Sequence, residues 1–280
     1  SRGGKSMETR LLPRTTKPME GNPKDKWTSL IHHLNEDYLK ECFQRLKRDA
    51  ATGVDGVTVR EYETNLKDNI RELVARMKAW KYYPQSVRRV YIPKADGSER
   101  PLGIPSVEDK VVQMGIKQIL EQVFEGEFLD VSYGFRPNRS CHDALEALDK
   151  CIMTKPINYV VDVDIEKFFD TVDHKWLIEA VQQRIADRNF LRLIVRFLKA
   201  GVMEEGKYVE TDKGTPQGGI ISPVLANIYL HYILDKWFEE KVKPQLKGYA
   251  RMIRYADDFV VCFQSGKEAE EFSKALKERL

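Results

Sequence analysis

The stretch RYADDFVVC, residues 254–262, sets Asp257 and Asp258 side by side between apolar runs. Two like charges repel, and near a core they also lose hydration. Ile253 before the pair and Phe259-Val260-Val261 after it read as two short strands around a tight turn. Successive strand side chains point to opposite faces, so the two carboxylates share a site only if the backbone turns between or beside them. A cation held between them would offset the repulsion. The plain alternative is a solvated surface turn, and the apolar flanks weigh against it.

A second acidic segment strengthens that reading. In Val161-Asp162-Val163-Asp164-Ile165 the acids fall on one face and the valines on the other, within a strand expected over Tyr159–Ile165. Asp164 is the last acid before the alternation breaks, at the strand's end, where a site can form. The alternative is an edge strand with a polar outer face. Three carboxylates from two neighbouring strands suit Mg²⁺, which keeps several waters and takes a few carboxylates plus substrate phosphates. Two such ions about 4 Å apart activate an attacking hydroxyl and stabilise a leaving pyrophosphate.

Phosphate-binding candidates lie elsewhere in the chain. Gly214-Thr215-Pro216-Gln217-Gly218-Gly219 precedes a helix opened by Ser222 as N-cap and Pro223 at the first turn. Its glycines permit close backbone approach to a ligand, and the Gln217 amide can contact a nucleotide; a tight entry turn is the alternative. Lys94 and Arg100 flank an Asp-Gly turn on the two arms of an expected hairpin, Arg89–Lys94 and Arg100–Pro105. Together they could grip a triphosphate, with Arg offering a forked contact. Arg136 and Arg139 alternate with Tyr133 and Phe135 in a loop, which fits a nucleic-acid track or a loop that packs its aromatics inward.

Around these segments the pattern is mixed. Residues 1–25 are rich in Gly, Pro, Lys, Arg and Thr and read as a flexible tail. Trp27–Trp80 is mostly helical, 107–128 and 174–200 are expected helices, and Tyr208–Lys213 is a short strand. A helix from Ser222 to about Glu240 carries the stripe Leu225, Ile228, Tyr229, Tyr232, Ile233 and Trp237, and a last helix starts near Lys267. Ser140 with Asp143 forms a capping box ahead of another helix.

Bulk properties narrow the class. Lys and Arg total 46 against 43 Asp and Glu. Through Arg100 the balance is 21 to 14, whereas the remainder has 25 to 29. A basic front suggests a polyanion partner and an acidic back suggests metal or catalysis. The four cysteines show no CxxC spacing and the five histidines no HExxH, which argues against a zinc site or disulfide framework and fits a reducing cytoplasm. No apolar run reaches about 18 residues, so no membrane span is expected.

Taken together these segments resemble one family. RYADDFVV is similar to the YxDD signature of reverse transcriptases, DVDIEKFFDTVDH to their first catalytic-aspartate motif, and GTPQGGIISPVLANIYL to their nucleotide-binding loop and helix. IPKADGSERPLGIP and SYGFRPNRSCHDAL resemble the upstream blocks, and ATGVDGVT points to the group II intron-encoded type, the intron maturases. The resemblance covers about residues 30–280. It implies an α+β right-hand polymerase with fingers and palm, the antiparallel palm sheet backed by helices. Fingers are expected over 26–155 and palm over 156–280, with a return to the fingers at about 175–212. The thumb and maturase region of the family are not expected within these residues.

The resemblance further implies RNA-directed DNA polymerisation onto a primer 3′-hydroxyl, together with intron RNA binding for splicing and mobility. Asp164, Asp257 and Asp258 would hold two Mg²⁺ ions, with the Ile165 carbonyl as a further ligand and Mn²⁺ an acceptable substitute. Lys94 and Arg100 would contact the dNTP triphosphate, Gln217 would pack near the incoming nucleotide, and Phe169 would exclude a 2′-hydroxyl. Phe169 as a core aromatic beside Phe168 is the alternative. Arg136, Arg139 and Gly218 would face nucleic acid. Partners would be a group II intron RNA template, a DNA or RNA primer and dNTPs, in a bacterial cytoplasmic ribonucleoprotein; oligomeric state is open, a homodimer included. Alternatives are a retron-type or CRISPR-associated reverse transcriptase, and an RNA-binding maturase active only in splicing.

Overall fold

The computed structural model describes residues 26–93, 97–165, 168–211, 213–215 and 218–279. The expected tail at 1–25 lies outside them. In chain order the front carries α1 (Glu36–Gln44), α2 (Val59–Thr64), α3 (Leu66–Lys78), β1 (Val87–Pro93), β2 (Glu99–Ile104) and α4 (Val107–Phe124). Then come α5 (Cys141–Thr154), β3 (Tyr159–Val163), α6 (Phe168–Thr171), α7 (His174–Val181), α8 (Arg188–Leu198), β4 (Val202–Glu204) and β5 (Lys207–Val209). The back carries α9 (Ser222–Leu230), β6 (Ala250–Tyr255), β7 (Asp258–Phe263) and α10 (Gly266–Arg279). The fold is α+β.

Two compact units emerge, one from residues up to Gly126 with Phe169–Ser222, the other from Glu127–Phe168 with Pro223 onward. These limits depart from the expected 26–155 and 156–280. Residues 127–155 join the second unit because α5 packs on β6 and Tyr133 N donates to Arg254 O at 2.8 Å. The first unit takes up the chain again at Phe169 and keeps it to Ser222, a longer excursion than 175–212. Gly214 N and Thr215 N donate back to Val172 O and Phe169 O, which ties the far end of that excursion to its start.

The first unit is built on α4. Val111, Val112, Ile116, Ile119 and Leu120 are wholly buried, and Ser106 caps the helix through Asp109 N. Its sheet has the order β2-β1-β4-β5. β1 pairs antiparallel with β2, Ile92 opposite Arg100, and parallel with β4, Val87 opposite Val202. The single helix expected over 174–200 is two. Asp187 breaks it: Oδ1 accepts from Asn189 N and Phe190 N to cap α8, while Oδ2 accepts from Leu30 N and Ile31 N. Four backbone donors around one buried carboxylate outweigh continuing the helix. The strand expected at 208–213 is β5, three residues long.

The second unit holds a three-stranded antiparallel sheet, order β3-β7-β6. Alternation sorts its residues onto two faces. Ile253 and Cys262 pack against Ala144 and Cys151 of α5. The opposite face carries Phe263, whose ring meets Phe272 of α10. Beyond α9 the helix continues through Val242, with π-type bonding over His231–Asp235 and Phe238–Val242.

Candidate active site

Register decides where the acids meet. β3 and β7 pair Val161 with Val261, Asp162 with Val260 and Val163 with Phe259. The strand expected over Tyr159–Ile165 ends at Val163; continued by one step, the register would set Asp164 opposite Asp258. Opposed residues of an antiparallel pair share a face, with Cβ atoms roughly 5 Å apart. On that register Asp164 and Asp258 would lie at one end of the face whose Val260 and Cys262 pack towards α5. Asp164 and Asp258 are exposed and Asp257 is half-buried.

Asp257 reaches the same end through a two-residue turn. Tyr255 pairs with Asp258, leaving Ala256-Asp257 as the loop. Ala256 has φ +60°, a left-handed conformation that costs a residue with Cβ roughly 1–2 kcal/mol. The turn is held from outside by Val131–Gly134, which lies alongside β6. Arg254 N donates to Val131 O at 2.7 Å, and Tyr133 N donates to Arg254 O. A side chain at Gly134 would collide with the backbone nitrogen of Ala256. The glycine of SYGF is thus there to let two backbones touch.

The donor chemistry fits a hard divalent cation: carboxylate oxygens, two of them on exposed residues. Among the described residues no three His, Cys, Asp or Glu side chains are gathered closely enough to hold a metal. The expected convergence of all three carboxylates on one ion therefore stays an expectation. Mutual repulsion is reason enough for bare carboxylates to stand apart. The Ile165 carbonyl accepts from Phe168 N at 3.2 Å, which leaves one lone pair for another partner.

Of the nucleotide-side candidates, Arg100, Phe169 and Gly218 belong to the first unit. Lys94 and Gln217 lie outside the described residues. Arg100 sits on β2 opposite Ile92, and its neighbourhood is exposed. The start of the GTPQGG loop packs against α6: Gly214, at φ +81°, would carry a Cβ 2.6 Å from Phe169 O, so only glycine fits. Gly218 lies on β2, with Gly103 O 3.0 Å from where its Cβ would be. Ile220 N donates to Gln113 Oε1 at 2.8 Å. Phe169 is half-buried.

Arg136 is a correction. It is buried, donates to Leu129 O and Ser132 O at 2.9 Å each, and lies 5.3 Å from the centroid of the Phe128 ring. Its guanidinium is consumed inside the loop, so the expected nucleic-acid contact does not hold for it. Arg139 is bound within the same loop, Nη2 donating to Asp130 Oδ1 at 2.6 Å above the Tyr133 ring.

Residues 92–280 match the family model described as reverse transcriptase (RNA-dependent DNA polymerase). The chain belongs to the reverse transcriptase family. Among its relatives, the group II intron-encoded protein LtrA of Lactococcus lactis subsp. cremoris is 39% identical over 229 residues, covering 81% of this chain and 38% of LtrA. Protein YkfC of Escherichia coli K12 is 35% identical over 248 residues, 78% of this chain and 65% of YkfC. These matches bear out the resemblance to the group II intron-encoded type. In the solved partial Cas6-RT-Cas1–Cas2 complex, one chain aligns with 88% of this reverse transcriptase and 40% of its own length, at 20% identity and TM-score 0.47. The chain spans less than two thirds of the length of these relatives. Reverse transcriptases use divalent metal ions and act on templates with primers. Among the described residues no helix of this one is long and apolar enough to cross a membrane.

Proposed function

We propose that this chain is the fingers and palm of a group II intron-type RNA-directed DNA polymerase, adding dNTPs to a primer 3′-hydroxyl on an intron RNA template. What supports the reading is the β3–β7 register, which ends at Val163–Phe259 and, continued by one step, would set Asp164 opposite Asp258, with Asp257 in the adjoining turn. Asp164, Asp257, Asp258 and the Ile165 carbonyl would hold two Mg²⁺ ions, with Mn²⁺ able to replace them. When bound, such ions supply charge stabilisation at the reacting phosphate and a more acidic primer hydroxyl. The chain's own contribution is positioning, as expected where no protein nucleophile is needed.

In this proposal Lys94 and Arg100 contact the triphosphate, Gln217 and Gly218 border the incoming nucleotide and template, and the Phe169 ring excludes a 2′-hydroxyl. Arg139 retains a part on the nucleic-acid side through its exposed edge. The full-length protein would act as a ribonucleoprotein with its intron RNA in a bacterial cytoplasm, assisting splicing as well as copying.

Primer extension on an RNA template with Mg²⁺ tests the activity. Asp257→Asn should abolish extension, by at least 10³-fold on the scale of lost charge stabilisation, while RNA affinity stays within about twofold, because the substituted group faces metal rather than phosphate. Extension that survives the substitution would count against the metal assignment.

A further inference from the structure

Arg254 is wholly buried, directly before the turn that carries Asp257. Strand alternation turns its side chain to the face away from Asp258. Burying a guanidinium is costly unless every donor is satisfied, and here every one is. Nε donates to Asp235 Oδ1 at 2.7 Å and Nη2 to Asp235 Oδ2 at 2.5 Å, a forked pair. Nη2 also donates to Ser132 Oγ at 2.8 Å. Nη1 donates to Asn227 Oδ1 at 3.0 Å and to Ala256 O at 2.8 Å. Arginine has five N–H groups, and this set uses five. Asn227 Nδ2 closes the ring by donating to Gly134 O at 2.7 Å.

One of these bonds does not serve packing. The Ala256 carbonyl belongs to the peptide that joins Ala256 to Asp257. Fixing it sets the plane from which the Asp257 side chain departs, at a residue whose backbone is held in a strained conformation. Replacing a buried ion pair by apolar residues of the same volume is often neutral or stabilising, so stability alone is a weak reason for an ion pair here.

Resting on the polymerase reading, we propose that Arg254 is a positioning residue: through Ala256 O it holds the turn so that Asp257 is presented for divalent-ion binding. Asp235, Asn227 and Ser132 orient its guanidinium, and Gly134 admits the turn against the SYGF segment. The helix that supplies Asn227 and Asp235 is adapted to this. In an ideal α-helix positions eight apart lie about 80° from one another around the axis; the under-wound π-type turn over His231–Asp235 reduces that offset.

The test uses the full-length protein with the double substitution Arg254→Met and Asp235→Leu, which keeps volume and removes both charges. Expected are a melting temperature and primer–template affinity near wild type, extension slowed at least tenfold with unchanged KM for dNTP, and a Mn²⁺ dissociation constant, read by EPR of the free aqua ion, raised at least threefold. A folded double variant with wild-type extension and Mn²⁺ binding overturns the proposal. Should that variant not fold, Ser132→Ala decides: it deletes one acceptor, and Mn²⁺ affinity should fall at least twofold with template binding unchanged, whereas an unmoved titration is the contrary result. Wild-type protein that extends nothing overturns the polymerase reading itself, while Mn²⁺ binding still reports on Arg254.

Discussion

Gly134 shows how a single residue governs the acidic turn. Its Cα side faces the Ala256 nitrogen so closely that no Cβ fits, and the neighbour is backbone, which cannot swing aside. Gly134→Ala should therefore force the Val131–Gly134 segment and the Ala256-Asp257 turn apart, costing about 1–3 kcal/mol of stability. Extension should fall more than stability predicts, since the displaced atoms lead into Asp257. A urea midpoint and an extension rate measured on the same preparation check this; a stable, fully active variant would show that the turn tolerates the shift. At this scale the sequence singles out Asp164, Asp257 and Asp258 as candidates, because acids between apolar runs break the expected pattern. It was silent on Arg254. In Met252-Ile253-Arg254-Tyr255 an arginine looks like the outward residue of a half-buried strand, and only the pairing with Asp235, 19 residues earlier, reveals that it points inward. Arg136 misled for the same reason: cations among aromatics look alike whether they face solvent or a carbonyl cage.

The helix that runs from α9 through the π-type turns makes a prediction about acid. His231 lies on it, only 1% exposed, with both ring nitrogens buried and without hydrogen-bond partners among the described residues. Burial first, then the charges of Lys236, Arg254 and Arg136, push its pKa down to about 3. The folded ring stays neutral over a range in which the unfolded ring, with its ordinary value near 6.5, takes up a proton. The unfolded state then binds more protons, so this contribution to stability is complete above about pH 6.5 and is lost as pH falls towards 3, by up to roughly 1.4 kcal/mol per unit. His231→Phe keeps the ring and removes the titration. Comparing urea midpoints of both proteins from pH 7 to about 4 should show the wild type falling more steeply; parallel curves would mean that His231 is hydrated or paired in solution. Periodicity could foresee a helix from Ser222 to about Glu240. It could not foresee π-type bonding, because the apolar stripe is tolerant of a slow drift in phase. Nor could it foresee the break before α8, since Asp187 becomes a cap only when Leu30 and Ile31 supply the second pair of donors.

Across the whole molecule the candidate residues divide between two compact units: Asp164, Asp257 and Asp258 in the unit of β3, β6 and β7, and Arg100, Phe169 and Gly218 in the other. Such a division was legible in part, because the charge balance shifts along the chain, yet the chain leaves one unit and returns to it, and no composition boundary marks Gly126 or Phe169. The same charge asymmetry yields a physical expectation for the full-length protein. A template–primer duplex is a dense line of phosphates, and each phosphate neutralised by Lys or Arg releases condensed counterions. With about six such contacts, affinity should drop on the order of 10³-fold between about 50 and 200 mM salt, linearly in log–log form. Asp257→Asn should leave that slope unchanged, because its carboxylate lies at the acidic turn rather than among the cations. Filter binding or anisotropy across a salt series reads both. A slope near zero would mean that stacking and shape, rather than phosphate neutralisation, hold the template, and would move the search for the binding track from the basic front of the chain to its exposed aromatics, Tyr83, Tyr91, Phe135 and Tyr208.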